Sequence, residues 1–136
     1  MKRYLFTPHV LPSGFRYPKS FLEFIEQEQL PDLFPWKFLA EDQVSADGWR
    51  EGIERLYPSR TLVPFANYSG SDDFACFEAA YPSEDPVVHY VHAYADPPYE
   101  DRGNVANFLE WLEDAEYASA AWKSWRDRRR KKKFEE

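Results

Sequence analysis

Two short apolar runs flank a polar centre between Thr61 and Ala79. The centre, residues 67–73, is rich in Asn, Ser, Gly and Asp, which favour tight turns and interrupt regular strands. The second run then places Phe74, Cys76 and Glu78 on one side of an extended chain and the intervening residues on the other. The pattern predicts an antiparallel β-hairpin.

A third extended segment is predicted over residues 86–95, which are rich in Val and Tyr. Apolar side chains occur at odd and at even positions of this segment, so both of its faces would be covered by other parts of the protein. The segment therefore predicts an interior strand that joins the hairpin in one sheet.

Two helices are predicted before the hairpin. The first runs from Pro18 to Ile25, since proline suits the first turn of a helix. Residues 31–38 follow as a compact turn, because Pro31 and Pro35 stop the helix. The second helix is predicted to begin at Asp47, which would serve as its N-cap. Its apolar face consists of Trp49, Ile53 and Leu56.

The longest helix is predicted at the C-terminal end. Residues 96–103 have the composition of a loop, and Asn104 is the predicted N-cap. A first apolar stripe, expected to close the core, consists of Val105, Phe108, Leu109 and Leu112. A second, rotated stripe consists of Trp111, Ala115, Ala118, Trp122 and Trp125. Two stripes indicate either one long helix with different neighbours or a bend near residues 113–116.

Together these elements predict a single α+β domain with an antiparallel-dominated sheet of four to six strands, packed helices and a long C-terminal helix. We divide the chain into a domain over residues 1–122 and a basic helix end or tail over residues 123–136. One contiguous core is expected, because the apolar positions of strands and helices must bury one another. Its predicted members are Phe65, Phe74, Phe77, Val91, Phe108 and Leu112.

The segments Leu62–Ala66 and Phe74–Glu78, with Gly70 between them, form an apolar-Pro-Phe-Ala strand, a glycine turn and an aromatic-Cys-Phe-acidic strand. This pattern resembles the signature of the SUKH superfamily, the Smi/Knr-like proteins. Residues 17–25, 35–36 and 105–112 resemble further parts of that family, so the resemblance spans residues 17–114. It implies an α+β fold and an immunity protein that neutralises a cognate bacterial toxin, often a nuclease, or else an interaction scaffold.

The net charge of −7 conceals two regions of opposite sign. Residues 123–134 contain eight of the 17 Lys and Arg and one of the 24 Asp and Glu, so the remaining chain is strongly acidic. We call this remaining part of the chain the acidic body. Its charge favours a basic partner and accelerates the approach of that partner at low salt. The tail combines Trp122 and Trp125 with basic residues, as nucleic-acid-binding segments do, although cations at a helix C-terminus also favour the helix dipole.

No set of residues predicts a catalytic or metal site. His89 and His92 are three apart on a predicted strand and would point to opposite faces, which opposes joint metal ligation. The single cysteine, Cys76, is predicted to be buried and unreactive. Ser69 and Ser71 lie between two strands, whereas a nucleophile elbow joins a strand to a helix. We therefore expect no enzyme activity, no cofactor and no metal.

The lengths of the apolar segments and the cysteine content indicate the cellular compartment of the protein. No apolar run has the length of a signal peptide or of a membrane span, and a single cysteine suits a reducing compartment. These features predict a cytoplasmic protein without a membrane partner.

Protein–protein contact with a basic toxin domain, with a nuclease as the first candidate, is the expected function. Acidic loops would steer the partner and tyrosines would anchor it. These loops follow strands of opposite direction and cannot all lie at one end of the sheet. The alternatives are nucleic-acid binding through the tail and a general scaffold role. The candidate partner-binding residues are Tyr68, Asp72, Asp73, Tyr81, Glu84, Asp85, Asp96, Tyr99, Glu100 and Asp101.

Overall fold

The structure is a computed structural model that describes residues 3–135 and the side chains of residues 3–132. The first two residues of the predicted domain and the last residue of the predicted tail lie outside the described residues. In chain order the elements are α1 (Lys19–Ile25), β1 (Trp36–Phe38), a 3-10 helix (Leu39–Glu41), α2 (Gln43–Leu56), β2 (Leu62–Tyr68), β3 (Asp73–Glu78), β4 (Val88–His92), β5 (Asp101–Val105) and α3 (Phe108–Glu135).

The strands form one antiparallel sheet in which each strand pairs with its neighbour along the chain, in the order β1-β2-β3-β4-β5. The predicted hairpin is β2 and β3, where Val63 lies opposite Phe77. The predicted third strand is β4, which lies between β3 and β5 and buries Val88 and Val91. The predicted α+β fold, with four to six strands and a long C-terminal helix, is confirmed.

The turn between β2 and β3 forms where the polar centre predicts it. Gly70 has a φ of +77°, a backbone conformation that glycine adopts without a steric penalty. The Asn67 side-chain amide donates to the carbonyls of Ser71 at 3.1 Å and Asp73 at 3.0 Å. These bonds satisfy backbone groups that the tight turn leaves outside the ladder and so fix its shape.

Helices cover both faces of the sheet. Phe74 and Phe77 are three residues apart on β3 and therefore point to opposite faces. The Phe77 ring lies 5.4 Å from that of Phe21 in α1 and 6.4 Å from that of Phe108 in α3. The Phe74 ring lies 4.4 Å from that of Trp49 in α2. The sheet is thus enclosed between α1 and α3 on one face and α2 on the other.

The predicted core forms a single cluster. Leu112 is only partly buried, but it packs against that cluster. The predicted members that are fully enclosed are Phe65, Phe74, Phe77, Val91 and Phe108.

One stripe of α3, and not the two predicted ones, faces the core. Phe108, Trp111, Ala115 and Ser119 are all buried, at spacings of three and four residues. Leu109, which we expected in the core, is 54% exposed. The stripe combines members of both predicted ones, because a step of one residue turns Leu109 by about 100° away from Phe108.

Of the two alternatives for the longest helix, one uninterrupted helix with different neighbours is correct. Beyond the sheet, the Trp122 ring packs on that of Phe34 at a centroid distance of 4.6 Å. The Lys123 ammonium donates to the carbonyl of Asp32 at 2.7 Å. The predicted tail is therefore the continuation of α3.

The predicted start of α2 is wrong. The helix begins at Gln43 because the Asp42 carboxylate accepts a hydrogen bond from the Ser45 backbone N–H at 3.2 Å and caps it there. Asp47 lies inside α2, where its carboxylate accepts a 2.6 Å hydrogen bond from the Tyr4 hydroxyl.

The predicted start of α3 is also wrong. The Asn107 side chain accepts a hydrogen bond from the Glu110 backbone N–H at 3.0 Å, and the Glu110 carboxylate accepts one from the Ala106 N–H at 2.8 Å. Asn104 lies in β5 instead, opposite His89 of β4.

Two edge strands replace segments predicted as a turn and a loop. Residues 36–38 form β1, in which Trp36 lies opposite Tyr68. Residues 101–103, expected in a loop, begin β5. A three-residue strand is too short to show an alternating pattern, and Asp, Gly and Asn are depleted in strands. Both segments become strands because their backbones pair with a neighbouring strand, and this pairing is not visible in the local sequence.

Candidate protein-binding site

Two connections meet at one end of the sheet. They are the β2–β3 turn, residues 69–72, and the β4–β5 loop, residues 93–100. Strands β2 and β4 run in the same direction in this meander, so both connections lie at the same end. The Ala93 N–H donates to the Asp72 carbonyl at 2.8 Å and joins them. We call this surface, residues 69–73 and 93–101, the turn end.

The predicted partner-binding residues divide between the two ends of the sheet, as their strand directions require. Tyr81, Glu84 and Asp85 lie in the β3–β4 loop at the opposite end and are exposed. The Asp85 carboxylate accepts a 3.0 Å hydrogen bond from the Asn107 amide. The residues at or beside the turn end are Tyr68, Asp72, Asp73, Asp96, Tyr99, Glu100 and Asp101.

Glu100 does not lie on the surface of the turn end. Its side chain is buried, and its carboxylate lies 3.4 Å from the Arg60 guanidinium, which approaches from the start of β2. The Glu100 carbonyl also accepts a 2.8 Å hydrogen bond from the His92 N–H. Glu100 therefore supports the β4–β5 loop from inside and is not itself placed to touch a partner.

Tyr68 is also occupied within the protein. It is half-buried, and its ring packs edge-to-face on that of Trp36 at 5.3 Å. Tyr99, in contrast, is 72% exposed at the turn end, and Tyr81 is 73% exposed at the opposite end. Of the three predicted tyrosine anchors, the turn end therefore presents Tyr99.

Tyr94 is a further exposed aromatic residue that the sequence pattern does not mark. It has a φ of +70°, which is rare for a residue with a side chain and costs conformational energy. The residue is 65% exposed, and its ring lies 6.2 Å from that of Trp49 in α2. In the sequence Tyr94 belongs to the predicted third strand, and only the end of β4 at His92 shows that it lies in the loop.

The Tyr94 loop is held from beneath by Tyr57, the C-cap residue of α2. The Tyr57 hydroxyl donates to the Ala95 carbonyl at 2.8 Å and lies 3.1 Å from the His92 carbonyl. Burial of the ring raises the pKa of this hydroxyl, and the Glu100 carboxylate raises it further. The hydroxyl therefore remains protonated and keeps donating at physiological pH.

Carboxylates surround these aromatic residues. Asp96 and Asp101 are exposed, and Asp72 is partly exposed. Asp73 lies opposite His92 in the ladder, and its carboxylate is 2.7 Å from the imidazole Nδ1. The turn end thus combines exposed aromatic rings with several negative charges.

The two strand histidines are separated, as predicted. The His89 imidazole lies 3.2 Å from the Glu78 carboxylate. His89 and His92 are opposite Cys76 and Asp73, which lie three residues apart on β3 and hence on different faces. In the part of the chain that the structure describes, no three His, Cys, Asp or Glu side chains are grouped so that they could hold a metal ion.

Cys76 is fully buried, and burial raises the pKa of its thiol. The thiol therefore stays protonated and is shielded from reagents, as expected for a core residue.

The turn end offers groups suited to contact with another protein. Its aromatic rings provide surface for packing and its carboxylates can pair with positive charges, and both are carried by connections that the fold holds in place.

Comparison of the chain with models of protein families, with curated proteins and with solved structures finds no match. Each helix within residues 3–135 is too short or too polar to cross a lipid bilayer.

Proposed function

We propose that this chain is an immunity protein that neutralises a cognate bacterial toxin domain by binding it at the turn end. The observation that carries this proposal is the grouping of the exposed Tyr94 and Tyr99 with Asp72, Asp96 and Asp101 on one supported surface. An inhibitor of this kind acts by covering its target and needs no catalytic group of its own. The resemblance of residues 17–114 to the SUKH superfamily implies the same role.

The aromatic residues supply the contact area. A tyrosine ring buries a large surface while only two side-chain torsions are fixed, so it costs little conformational entropy. The loop that carries Tyr94 is already held by the Tyr57 hydroxyl and by the Arg60–Glu100 ion pair. Because that loop is ordered before the partner arrives, less of the interaction energy is consumed in ordering it.

The charge of the body selects the chemistry of the partner. Outside residues 123–134 the chain has nine Lys and Arg against 23 Asp and Glu. Such an excess attracts positively charged proteins over distances of about a Debye length and raises their association rates. Domains that cleave nucleic acids carry positive charge in order to bind phosphates. We therefore propose a basic toxin domain as the partner, with a nuclease as the first candidate.

Co-expression with the toxin domain encoded beside this chain tests the proposal. We expect cells to survive a toxin dose that otherwise kills them, and the two purified proteins to elute as one complex from a sizing column. A catalytically inactivated toxin domain serves as the binding partner in the second measurement, because it can be produced alone. Absence of both protection and a complex would refute the proposal.

A further inference from the structure

We propose that the C-terminal part of α3, residues 122–132, is a second binding surface that takes the phosphate backbones of duplex DNA. We call this segment the basic helix end. Residues 123–132 contain seven Lys or Arg and a single acid, Asp127, and residues 128–132 are all Arg or Lys. The segment continues the helix that closes the core, so its cations have fixed positions along a rigid axis.

The cations lie on all sides of the helix. With about 100° between successive residues, the cations at position 126 and at positions 128–132 are distributed around the whole circumference. A helix that lies on a membrane surface needs an apolar face, and cations on every side leave none. A groove with negative charge on both walls fits this distribution. The major groove of B-DNA is about 12 Å wide and admits an α-helix.

Two stacked pairs organise the start of the segment. The Arg126 guanidinium lies 5.1 Å from the centre of the Trp122 ring, and the Arg129 guanidinium lies 5.1 Å from that of Trp125. Asp127 lies 3.1 Å from Arg126 and pairs with it, which leaves the cations from Arg128 onward without a neighbouring acid in the segment. Stacking restricts the guanidinium rotamers before binding, which reduces the entropy cost of holding a phosphate.

Distance reduces the repulsion between the acidic body and a phosphate bound at the basic helix end. Among the described residues, Lys123 is the last of α3 that donates a hydrogen bond to another element. At about 1.5 Å per residue, Arg128 lies ~7 Å and Lys132 ~13 Å further along the axis. The Debye length at physiological salt is about 8 Å. The charge of the body is therefore only partly screened at Arg128 and largely screened at Lys132.

Fluorescence anisotropy with a labelled 20-base-pair duplex of mixed sequence tests this proposal on the full chain. We expect binding that weakens steeply between about 50 and 200 mM salt, as for any protein that releases counterions from phosphates. Replacement of Arg128, Arg129 and Lys132 by Gln should lower the slope of log K against log salt by about 0.9 for each phosphate that the variant no longer neutralises. The matched control replaces Arg16, Lys19 and Lys37, three exposed cations of the body, and should leave that slope unchanged.

Several results would overturn the proposal. They are no binding at about 50 mM salt, equal binding by the Arg128/Arg129/Lys132 variant, and tighter binding to phosphatidylserine vesicles than to DNA. Self-association that depends on these three cations would identify the acidic body of a second copy as the occupant. The turn-end residues are not needed for this activity, so a turn-end variant should bind DNA like the unaltered chain. The proposal therefore stands or falls separately from the toxin-binding proposal.

Discussion

The Tyr57 hydroxyl donates a 2.8 Å hydrogen bond to the Ala95 carbonyl and so connects the end of α2 to the loop that presents Tyr94. The Tyr57 ring is buried beneath that loop. Through this hydroxyl, which also lies 3.1 Å from the His92 carbonyl, a helix on one face of the sheet is coupled to the connection at its end. The order of the turn end thus depends on a residue that is itself buried.

Replacement of Tyr57 by Phe removes this bond and keeps the ring. We expect a loss of about 1 kcal/mol in the free energy of unfolding, since the two carbonyls lose their donor. The amide protons of residues 93–97 should exchange faster with solvent, measured by hydrogen exchange. Tyr117→Phe, at an 80% exposed position of α3, is the control and should change neither value. Unchanged exchange in the Tyr57 variant would mean that the loop is held by other contacts.

Replacement of Phe77 by Ala should cost about 3–5 kcal/mol, because it opens a cavity where the ring is fully enclosed. The neighbouring rings include that of Phe65, stacked at 4.3 Å. Leu109→Ala, at the α3 position that proved exposed, should cost less than about 0.5 kcal/mol. Urea unfolding measures both values, and equal costs would contradict the assignment of the buried stripe.

The Asp42 cap should make the stability of the protein depend on pH. Hydrogen bonds from Ser45, chiefly from its backbone N–H, hold the pKa of the Asp42 carboxyl below its usual value of 3.8. A lowered pKa in the folded state means that the carboxylate stabilises the fold above the unfolded-state pKa. This contribution is lost as the pH falls through the folded-state pKa.

Unfolding of Asp42→Ala beside the unaltered protein measures this contribution. The variant should be less stable at neutral pH, and the difference should shrink as the pH falls through the folded-state pKa, below which the carboxyl is protonated in both states. Asp42→Asn retains a capping side chain without the charge and separates the two effects. A difference between Ala and the unaltered protein that is the same at neutral pH and below the folded-state pKa would exclude a role for the charge.

Charge reversal distinguishes the two ends of the sheet as binding surfaces. Asp72→Lys with Asp96→Lys should slow association with the toxin domain. The association rate should also depend less on the salt concentration. The matched control, Glu84→Lys with Asp85→Lys, changes the charge equally at the opposite end.

Tyr94→Ala should mainly raise the dissociation rate, with Tyr81→Ala as its control. Surface plasmon resonance measures both rates. A larger effect of the control pairs would move the binding surface to the β3–β4 loop.

Glu100 is unsuited to such a test. Its carboxylate is enclosed beside Arg60, and replacement by Lys would leave two cations facing each other in the interior. The expected result is a loss of stability and not a specific loss of binding, because an uncompensated buried charge is strongly unfavourable.

Deletion of residues 126–136 should change the free energy of unfolding by less than about 0.5 kcal/mol, since the described contacts of this segment lie mostly within α3. A deletion that begins at Ser119 also removes the contacts of Trp122 with Phe34 and of Lys123 with Asp32. It should lower the melting temperature clearly. A large decrease with the shorter deletion would show that the basic helix end docks on the acidic body.

The hairpin was predictable because its signals are local. The short apolar runs over residues 62–66 and 74–78 predict the two strands, and the turn residues between them predict the connection. The start of α3 was not predictable, because Asn104 and Asn107 are equally suitable N-cap residues in the sequence. Pairing of β5 with β4 places Asn104 in the sheet and leaves Asn107 to begin the helix.

The composition of the turn end was only partly predictable for a related reason. Asp96 and Tyr99 are exposed and Asp72 is partly exposed, as loop residues usually are. The burial of Glu100 depends on Arg60, which lies 40 residues earlier in the chain. The exposure of Tyr94 depends on where β4 ends, and this is decided by the closure of the loop over Tyr57 and not by the composition of the strand.

The two open edges of the sheet bear on how the protein behaves at high concentration. An edge strand offers unpaired backbone groups to any extended segment that approaches, and long, flat, apolar edges invite aggregation. Here one edge is the three-residue β1, and the other is β5, whose first four residues are exposed and include Asp101, Arg102 and Gly103 at a φ of +101°. Strand addition, and with it the growth of mixed sheets between copies of the chain, is therefore discouraged at both sides.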